Sequence, residues 1–66
     1  MSVAKVTEIT STSKKSFEDA VENGIQRANE TLKNITGAWV ADHQVTVDNG
    51  KIDEYRVRLK VTFILK

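Results

Sequence analysis

Residues 46–65 read TVDNGKIDEYRVRLKVTFIL, and this stretch decides the fold. Its Asn49-Gly50 pair is the strongest short signal for a β-hairpin, because a type I′ turn needs positive φ at both central residues and these residue types tolerate it. After the turn, apolar residues alternate with polar ones, at Tyr55, Val57, Leu59, Val61, Phe63 and Leu65. A period of two predicts a long strand with one buried face, and residues 39–48 form its predicted partner.

The segment before the hairpin has the period of a helix. Residues at i, i+3, i+4 and i+7 spacings form one apolar stripe: Phe17, Ala20, Val21, Gly24, Ile25, Ala28, Leu32 and Ile35. Ser13 or Ser16 is expected to cap the start of this helix, and Gly37 to end the pattern. Since Gly24 lies on the apolar stripe, we expect a neighbouring backbone to approach it closely.

A β-rich segment opens the chain. Val3, Val6, Thr7, Ile9 and Thr10 predict a strand, which a Ser/Thr/Lys cluster at residues 11–16 separates from the helix. The predicted order of elements is therefore β-α-β-β. We expect an α+β fold in which a three-stranded antiparallel sheet packs on one helix, as a single domain covering residues 1–66.

The two-residue turn fixes the expected register of the hairpin, with Asp48 opposite Lys51. Val40 then lies beside Leu59 on the face that the helix covers. On the opposite face, called the open face below, the same register places Trp39 beside Lys60, Ala41 beside Arg58 and His43 beside Arg56. It also places Val45, Val47 and Ile52 there, and we expect a second copy of the chain to bury these three apolar side chains.

Composition limits what such a chain can do. Sixty-six residues form one small domain, and with no Cys and a single His there is neither a disulfide framework nor a thiolate metal site. Oligomerisation is the expected source of stability. A net charge of +1 predicts no nucleic-acid partner. The absence of a long apolar run predicts no membrane association, and the expected location is cytoplasmic.

The candidate site residues lie on the open face. No nucleophile or acid–base set is visible, so we expect a protein that is not an enzyme. One grouping combines an indole, several cations and an acid: Trp39, His43, Arg56, Arg58, Lys60 and Asp42. It could stack a flat aromatic ligand while a cation holds an anionic tail. Alternatively, Trp39 anchors an interface and the arginines pair with acids of a neighbouring subunit.

In order, spacing and length, the sequence resembles the dodecin family. The matching segments are KVTEI (5–9), TS (12–13), SFE (16–18), RA (27–28), TLKNI (31–35), DNGK (48–51), YRV (55–57) and LKVTF (59–63). The resemblance implies the β-α-β-β fold and assembly as a hollow homododecamer built from trimers. It also implies flavin binding without catalysis, for storage or protection, with riboflavin, FMN or FAD as the cofactor. Some bacterial dodecins also bind coenzyme A.

The family pattern for flavin binding differs from this sequence at two positions. In flavin-binding dodecins, two flavins stack between tryptophans related by a two-fold axis, with a glutamine at the ring edge. Counted from Asn34, the tryptophan position of the family is Gly37 here, and the tryptophan follows two residues later as Trp39. Arg56 stands at the glutamine position, whereas Asp42 matches the acid of the second strand.

Together, the open-face grouping and the resemblance predict a flavin site at Trp39, Asp42, His43 and Arg56. We assign no metal ligand and no catalytic residue. The alternative is a dodecin-fold shell without flavin binding, which holds a coenzyme A-like anion or a metal ion, or acts as an interaction protein.

Overall fold

A computed structural model describes residues 3–65, which form one helix and three strands. Strand β1 is Val3–Ser13, helix α1 is Phe17–Thr31, and strands β2 and β3 are Ile35–Asp48 and Lys51–Leu65. The sheet is antiparallel with the order β1-β3-β2, so β3 lies in the centre. The predicted α+β fold, with one helix on a three-stranded antiparallel sheet, is confirmed.

Helix α1 begins at a capped position. Ser16 has extended backbone angles, and its Oγ accepts a 3.0 Å hydrogen bond from the backbone N–H of Asp19. Glu18 and Asp19 lie in the first turn, where carboxylates interact favourably with the helix dipole. Ser13, the other predicted cap, instead donates from its Oγ to Asp19 Oδ2 at 2.6 Å. Both serines therefore stabilise the start of the helix.

The helix ends earlier than its apolar stripe predicted. Its last residue is Thr31, and the N–H of Leu32 donates to the carbonyl oxygen of Ala28 at 2.7 Å. Asn34 then adopts a positive φ of 63°, a conformation that asparagine tolerates better than most residues. This turn leads directly into β2, so Ile35 belongs to a strand, opposite Phe63, and not to the helix.

The core lies between the helix and the central strand. Ala20, Val57, Leu59 and Val61 are fully buried, and the apolar residues Ile9, Phe17, Val21, Ile25, Leu32 and Ile35 pack around them. A Cβ placed on Gly24 would lie 3.0 Å from both Leu59 Cδ1 and Ser11 Cβ. The close approach expected at Gly24 is therefore present, although the neighbours are side chains and not backbone.

The turn adopts the conformation that its sequence predicts. Asn49 and Gly50 have φ values of 52° and 77°. At the tip of the hairpin, Asp48 lies opposite Lys51, as expected. Farther along the hairpin, Trp39 lies opposite Lys60 on the open face, which also agrees with the predicted register.

Two irregularities change the register in the middle of the hairpin. The pairing shifts once beside Thr46 and again at Ala41, which is an extra residue on β2. Between these shifts the pairs are Asp42 with Arg58, His43 with Val57, Gln44 with Arg56, and Val45 with Tyr55. The predicted neighbours Ala41–Arg58 and His43–Arg56 are therefore wrong. One extra residue in a strand reverses the faces of the residues that follow it.

Part of the hairpin extends beyond the helix. The described residues span 51 × 19 × 14 Å, and the helix contacts β1 and β3 far more than β2. Val45, Val47 and Ile52, called the apolar overhang below, are 37%, 64% and 55% exposed. Val45 pairs with Tyr55 and Val47 with Ile52, which puts the overhang on the helix side of the sheet and not on the open face as predicted. It is exposed because the helix does not reach it.

No helix among the described residues is long and apolar enough to cross a membrane. The cytoplasmic location stays a prediction.

Candidate functional site

The open face carries a polar groove across all three strands. It has a volume of ≈ 290 Å³ and is lined by Thr10 of β1, Asp42 and Gln44 of β2, and Arg56 and Arg58 of β3. The register explains this grouping, because Arg58 lies opposite both Thr10 and Asp42 while Arg56 lies opposite Gln44. Two of the four predicted site residues, Asp42 and Arg56, thus share one groove.

Arg58 is held by carboxylates from both neighbouring strands. Its Nη2 donates to Asp42 Oδ2 at 2.6 Å, and its Nη1 lies 3.8 Å from Glu8 Oε1. All three side chains are almost half exposed, so solvent screens the attraction between them. The arrangement neutralises the charge of Arg58 and fixes its guanidinium over the sheet.

Arg56 is placed differently. Its Nη1 donates to Gln44 Oε1 at 3.4 Å, a long hydrogen bond to a neutral amide. Within residues 3–65, no carboxylate lies within 4.0 Å of its guanidinium. Arg56 therefore keeps an uncompensated positive charge beside a polar groove.

Trp39 lies on the same face but outside this groove. Its side chain is 50% exposed, and Lys60 Nζ lies 5.6 Å from the ring centroid, within the range of a cation–π contact. Trp39 pairs with Lys60, four residues from Arg56 along β3, which corresponds to about 13 Å. A single chain therefore presents Trp39 and Arg56 on one face without bringing them together.

The family's tryptophan position is open space here. Gly37 lies opposite Thr62, two residues before Trp39 and on the same face of β2. A Cβ added to Gly37 would meet no described atom within 4 Å. The position could hold a large side chain without a clash at its Cβ.

His43 lies on the other side of the sheet. Its ring packs edge-on against Phe17, with centroids 4.8 Å apart and an interplanar angle of 86°. Phe17 also contacts Tyr55 in a similar T-shaped arrangement, with centroids 5.1 Å apart. The prediction that His43 joins the open-face grouping is wrong, because the extra residue Ala41 turns its side chain toward the helix.

Sequence reasoning missed three residues of the site: Thr10, Gln44 and Glu8. The alternation in β1 is too imperfect to assign its faces, so neither Thr10 nor Glu8 could be placed. Gln44 has the wrong parity for the open face unless the shift at Ala41 is known. Among residues 3–65, no group of three or more His, Asp or Glu side chains is arranged to hold a metal ion.

Comparison with known proteins supports one family throughout. The dodecin family model matches residues 3–66. The calcium dodecin of Mycobacterium tuberculosis is 36% identical over 66 residues, which cover 100% of this chain and 93% of that protein.

Solved structures agree in fold over nearly the whole chain. The dodecin of Streptomyces davaonensis has a TM-score of 0.94 and 34% identity, covering 98% of this chain and 96% of its own. The structure of M. tuberculosis calcium dodecin, described as a calcium-chelating immunodominant antigen, has a TM-score of 0.85 and 38% identity, with 97% and 91% covered. The chain belongs to the dodecin family.

Proposed function

We propose that this protein is a non-enzymatic dodecin that assembles as a homododecamer and binds flavin at its open face, for storage or sequestration. The observation that carries the proposal is the half-exposed Trp39 on the open face, whose indole offers a flat surface for stacking an isoalloxazine ring. Membership of the dodecin family supports flavin as the aromatic ligand.

A second subunit is needed to complete the site. Trp39 and the groove that contains Asp42 and Arg56 are about 13 Å apart along the sheet, so one chain cannot enclose a stacked ring from both sides. In the proposed assembly, the open faces of two copies meet so that Trp39 of one copy stacks on the ligand. His43 has no part in this site, because it contacts Phe17 on the helix side.

Gln44 and Arg56 would provide the polar contacts. Gln44 lies directly opposite Arg56 on the open face, so an amide is present beside the position where the family has glutamine. An amide donates and accepts, whereas a guanidinium only donates, and the edge of a flavin ring has both kinds of group. Gln44 could therefore take over the role that the resemblance predicts for Arg56.

The apolar overhang supports the assembly. Val47 and Ile52 are more than half exposed, and Val45 is partly so, on a chain with no disulfide to stabilise it. Burying these side chains against other copies removes apolar surface from water and contributes roughly 25 cal/mol for each Å² buried. A homododecamer is the assembly that the family resemblance implies.

Fluorescence quenching tests the proposal directly. Riboflavin and FMN are titrated with the protein, and its mass is measured by light scattering under the same conditions. Quenching by a particle of about twelve subunits is the expected result. A dodecameric particle that quenches neither flavin would contradict flavin binding, and a stable monomer would contradict the assembly.

A second candidate ligand is a coenzyme A-like anion or a calcium ion. The uncompensated charge of Arg56 favours the anion, and the name of the M. tuberculosis relative suggests calcium. Both Asp42 and Glu8 face Arg58, so calcium in the groove would have to displace that guanidinium. Thermal shift with coenzyme A and with calcium chloride separates these two ligands from flavin.

A further inference from the structure

We propose that the groove on the open face binds a phosphate group and that Arg56 is its principal ligand. The inference deepens the proposed function, on which it rests for its choice of flavin as a reporter. It identifies the preferred ligand as one that carries a phosphate monoester.

The size and lining of the groove fit a small polar group. Its volume of ≈ 290 Å³ is at the lower limit of typical ligand pockets, which start at about 300 Å³, so it would hold an anionic group more readily than a whole nucleotide. Every residue that lines it is polar or charged. The apolar part of a ligand would therefore lie elsewhere on the open face, where Trp39 is exposed.

The charges in the groove favour Arg56 over Arg58. Arg58 has carboxylates at 2.6 and 3.8 Å, from Asp42 and Glu8, and an incoming anion would compete with both. Arg56 has the neutral amide oxygen of Gln44 at 3.4 Å as its hydrogen-bond partner. Glu54, two residues along β3, does not come within 4.0 Å of Arg56 among the described contacts. An anion beside Arg56 would gain a partner without breaking an ion pair.

The donors around Arg56 suit phosphate. A guanidinium presents five N–H donors in a planar fork that can bind two oxygens of a phosphate at once. The side-chain amide of Gln44 has two N–H donors of its own, and the hydroxyl of Thr10 lines the same groove. Donors from three strands thus converge on a space that could hold a tetrahedral anion.

Phosphate could come from FMN or from free inorganic phosphate, and two binding arms distinguish them. In the first arm, FMN and riboflavin are titrated against the parent protein by fluorescence quenching. FMN should bind about 10-fold or more tightly than riboflavin, as a charge-assisted hydrogen bond predicts. The difference should shrink as sodium chloride is raised. In the second arm, inorganic phosphate should weaken FMN binding and leave riboflavin binding unchanged.

Three variants assign the effect to Arg56. Arg56→Gln should remove the preference for FMN, and Arg56→Lys should keep part of it. Arg27→Gln is the control, because it removes a cation that contacts Thr31 on the helix, and it should leave the preference unchanged. Light scattering on each variant shows whether the assembly is intact. If Arg56→Gln dissociates, competition by phosphate against the intact parent decides.

Each outcome is decisive. Equal binding of FMN and riboflavin by the parent, or a preference that survives in Arg56→Gln, would overturn the phosphate site while leaving flavin binding in place. If the parent binds neither flavin, calorimetry with inorganic phosphate and with pyrophosphate replaces the first arm. Binding there that Arg56→Gln abolishes would support the site without the proposed flavin function, and no binding would overturn it.

Discussion

Gly24 and Leu59 are so close that the helix has no room for a side chain at this point. A Cβ on Gly24 would lie 3.0 Å from Leu59 Cδ1. On the other side it would lie 3.0 Å from the Cβ of Ser11, which β1 holds in place. Glycine therefore sets how closely the helix approaches the sheet, despite its low helix propensity.

Gly24→Ala should destabilise the protein. Alanine raises helix propensity by about 1 kcal/mol, whereas overpacking costs about 1 to 3 kcal/mol, and neither fully buried Leu59 nor the strand at Ser11 can move freely. Asn29→Ala, at an exposed helix position, is the matched control and should be neutral or slightly stabilising. Urea denaturation at one fixed protein concentration compares them. Equal stabilisation by both changes would show that the sheet yields at Gly24.

Leu59→Ala and Arg58→Ala test the two faces of β3. Leu59 is 0% exposed, so its truncation should cost about 2 to 5 kcal/mol of unfolding free energy. Arg58 forms half-exposed ion pairs with Asp42 and Glu8, and its truncation should cost about 1 kcal/mol or less. Thermal denaturation measures both. An Arg58→Ala loss as large as that of Leu59→Ala would mean that another subunit buries Arg58.

Gly50→Ala should weaken the hairpin, because Gly50 has a φ of 77° and a residue with a Cβ costs roughly 1 to 2 kcal/mol in the left-handed region. Gly37→Ala is the control, since Gly37 has no positive φ and a Cβ there meets no described atom within 4 Å. It should leave the denaturation midpoint nearly unchanged. The turn would not be required in its present form if the two variants denatured together.

The fold could be predicted from the sequence because its signals are local. The Asn49-Gly50 turn, the alternation around Leu59 and the helical stripe around Ala20 each depend on neighbouring residues, and all three agree with the structure. The end of the helix was missed because Ile35 continues the helical spacing by coincidence. Only the positive φ of Asn34, which no periodicity reveals, ends the pattern.

The site was less predictable because it depends on register. An extra residue at Ala41 moves His43 to the helix side and Gln44 to the open face. Ala41 carries no signal that distinguishes it from an ordinary strand residue, since bulges are set by the pairing of two strands and not by one. Trp39 and Asp48, outside the shifted segment, kept their predicted neighbours.

Val47→Lys tests whether the apolar overhang is an interface. Val47 is 64% exposed in the single chain, so lysine there should barely affect the fold of one subunit. Buried against another copy, its charge would be costly unless it found a partner, and the particle should dissociate into smaller species. Gln26→Lys, at an exposed helix position, is the control for added charge. Light scattering should show a lower mass for Val47→Lys alone, and an unchanged mass would remove the overhang from the interface.

Trp39 and Gly37 together test the proposed flavin site. Removing the indole by Trp39→Ala should cost a stacking energy of about 1 to 3 kcal/mol, by analogy with bases stacked on aromatic side chains, which is a loss of roughly 5-fold to more than 100-fold in affinity. The particle should stay intact by light scattering. Equal riboflavin binding by parent and variant would exclude Trp39 from the site.

Gly37→Trp places an indole at the position where the resemblance puts the family's tryptophan. A Cβ there meets no described atom within 4 Å, and Gly37 lies on the same face as Trp39, so the ring should project from the open face. In the Trp39→Ala background, this change should restore or exceed the parent's affinity for riboflavin, whereas Gly37→Ala should restore nothing. Quenching titrations on these variants decide whether the displaced indole does the work of the family's stacking residue. If Gly37→Trp binds flavin and the parent does not, the parent is a dodecin shell whose ligand is not flavin.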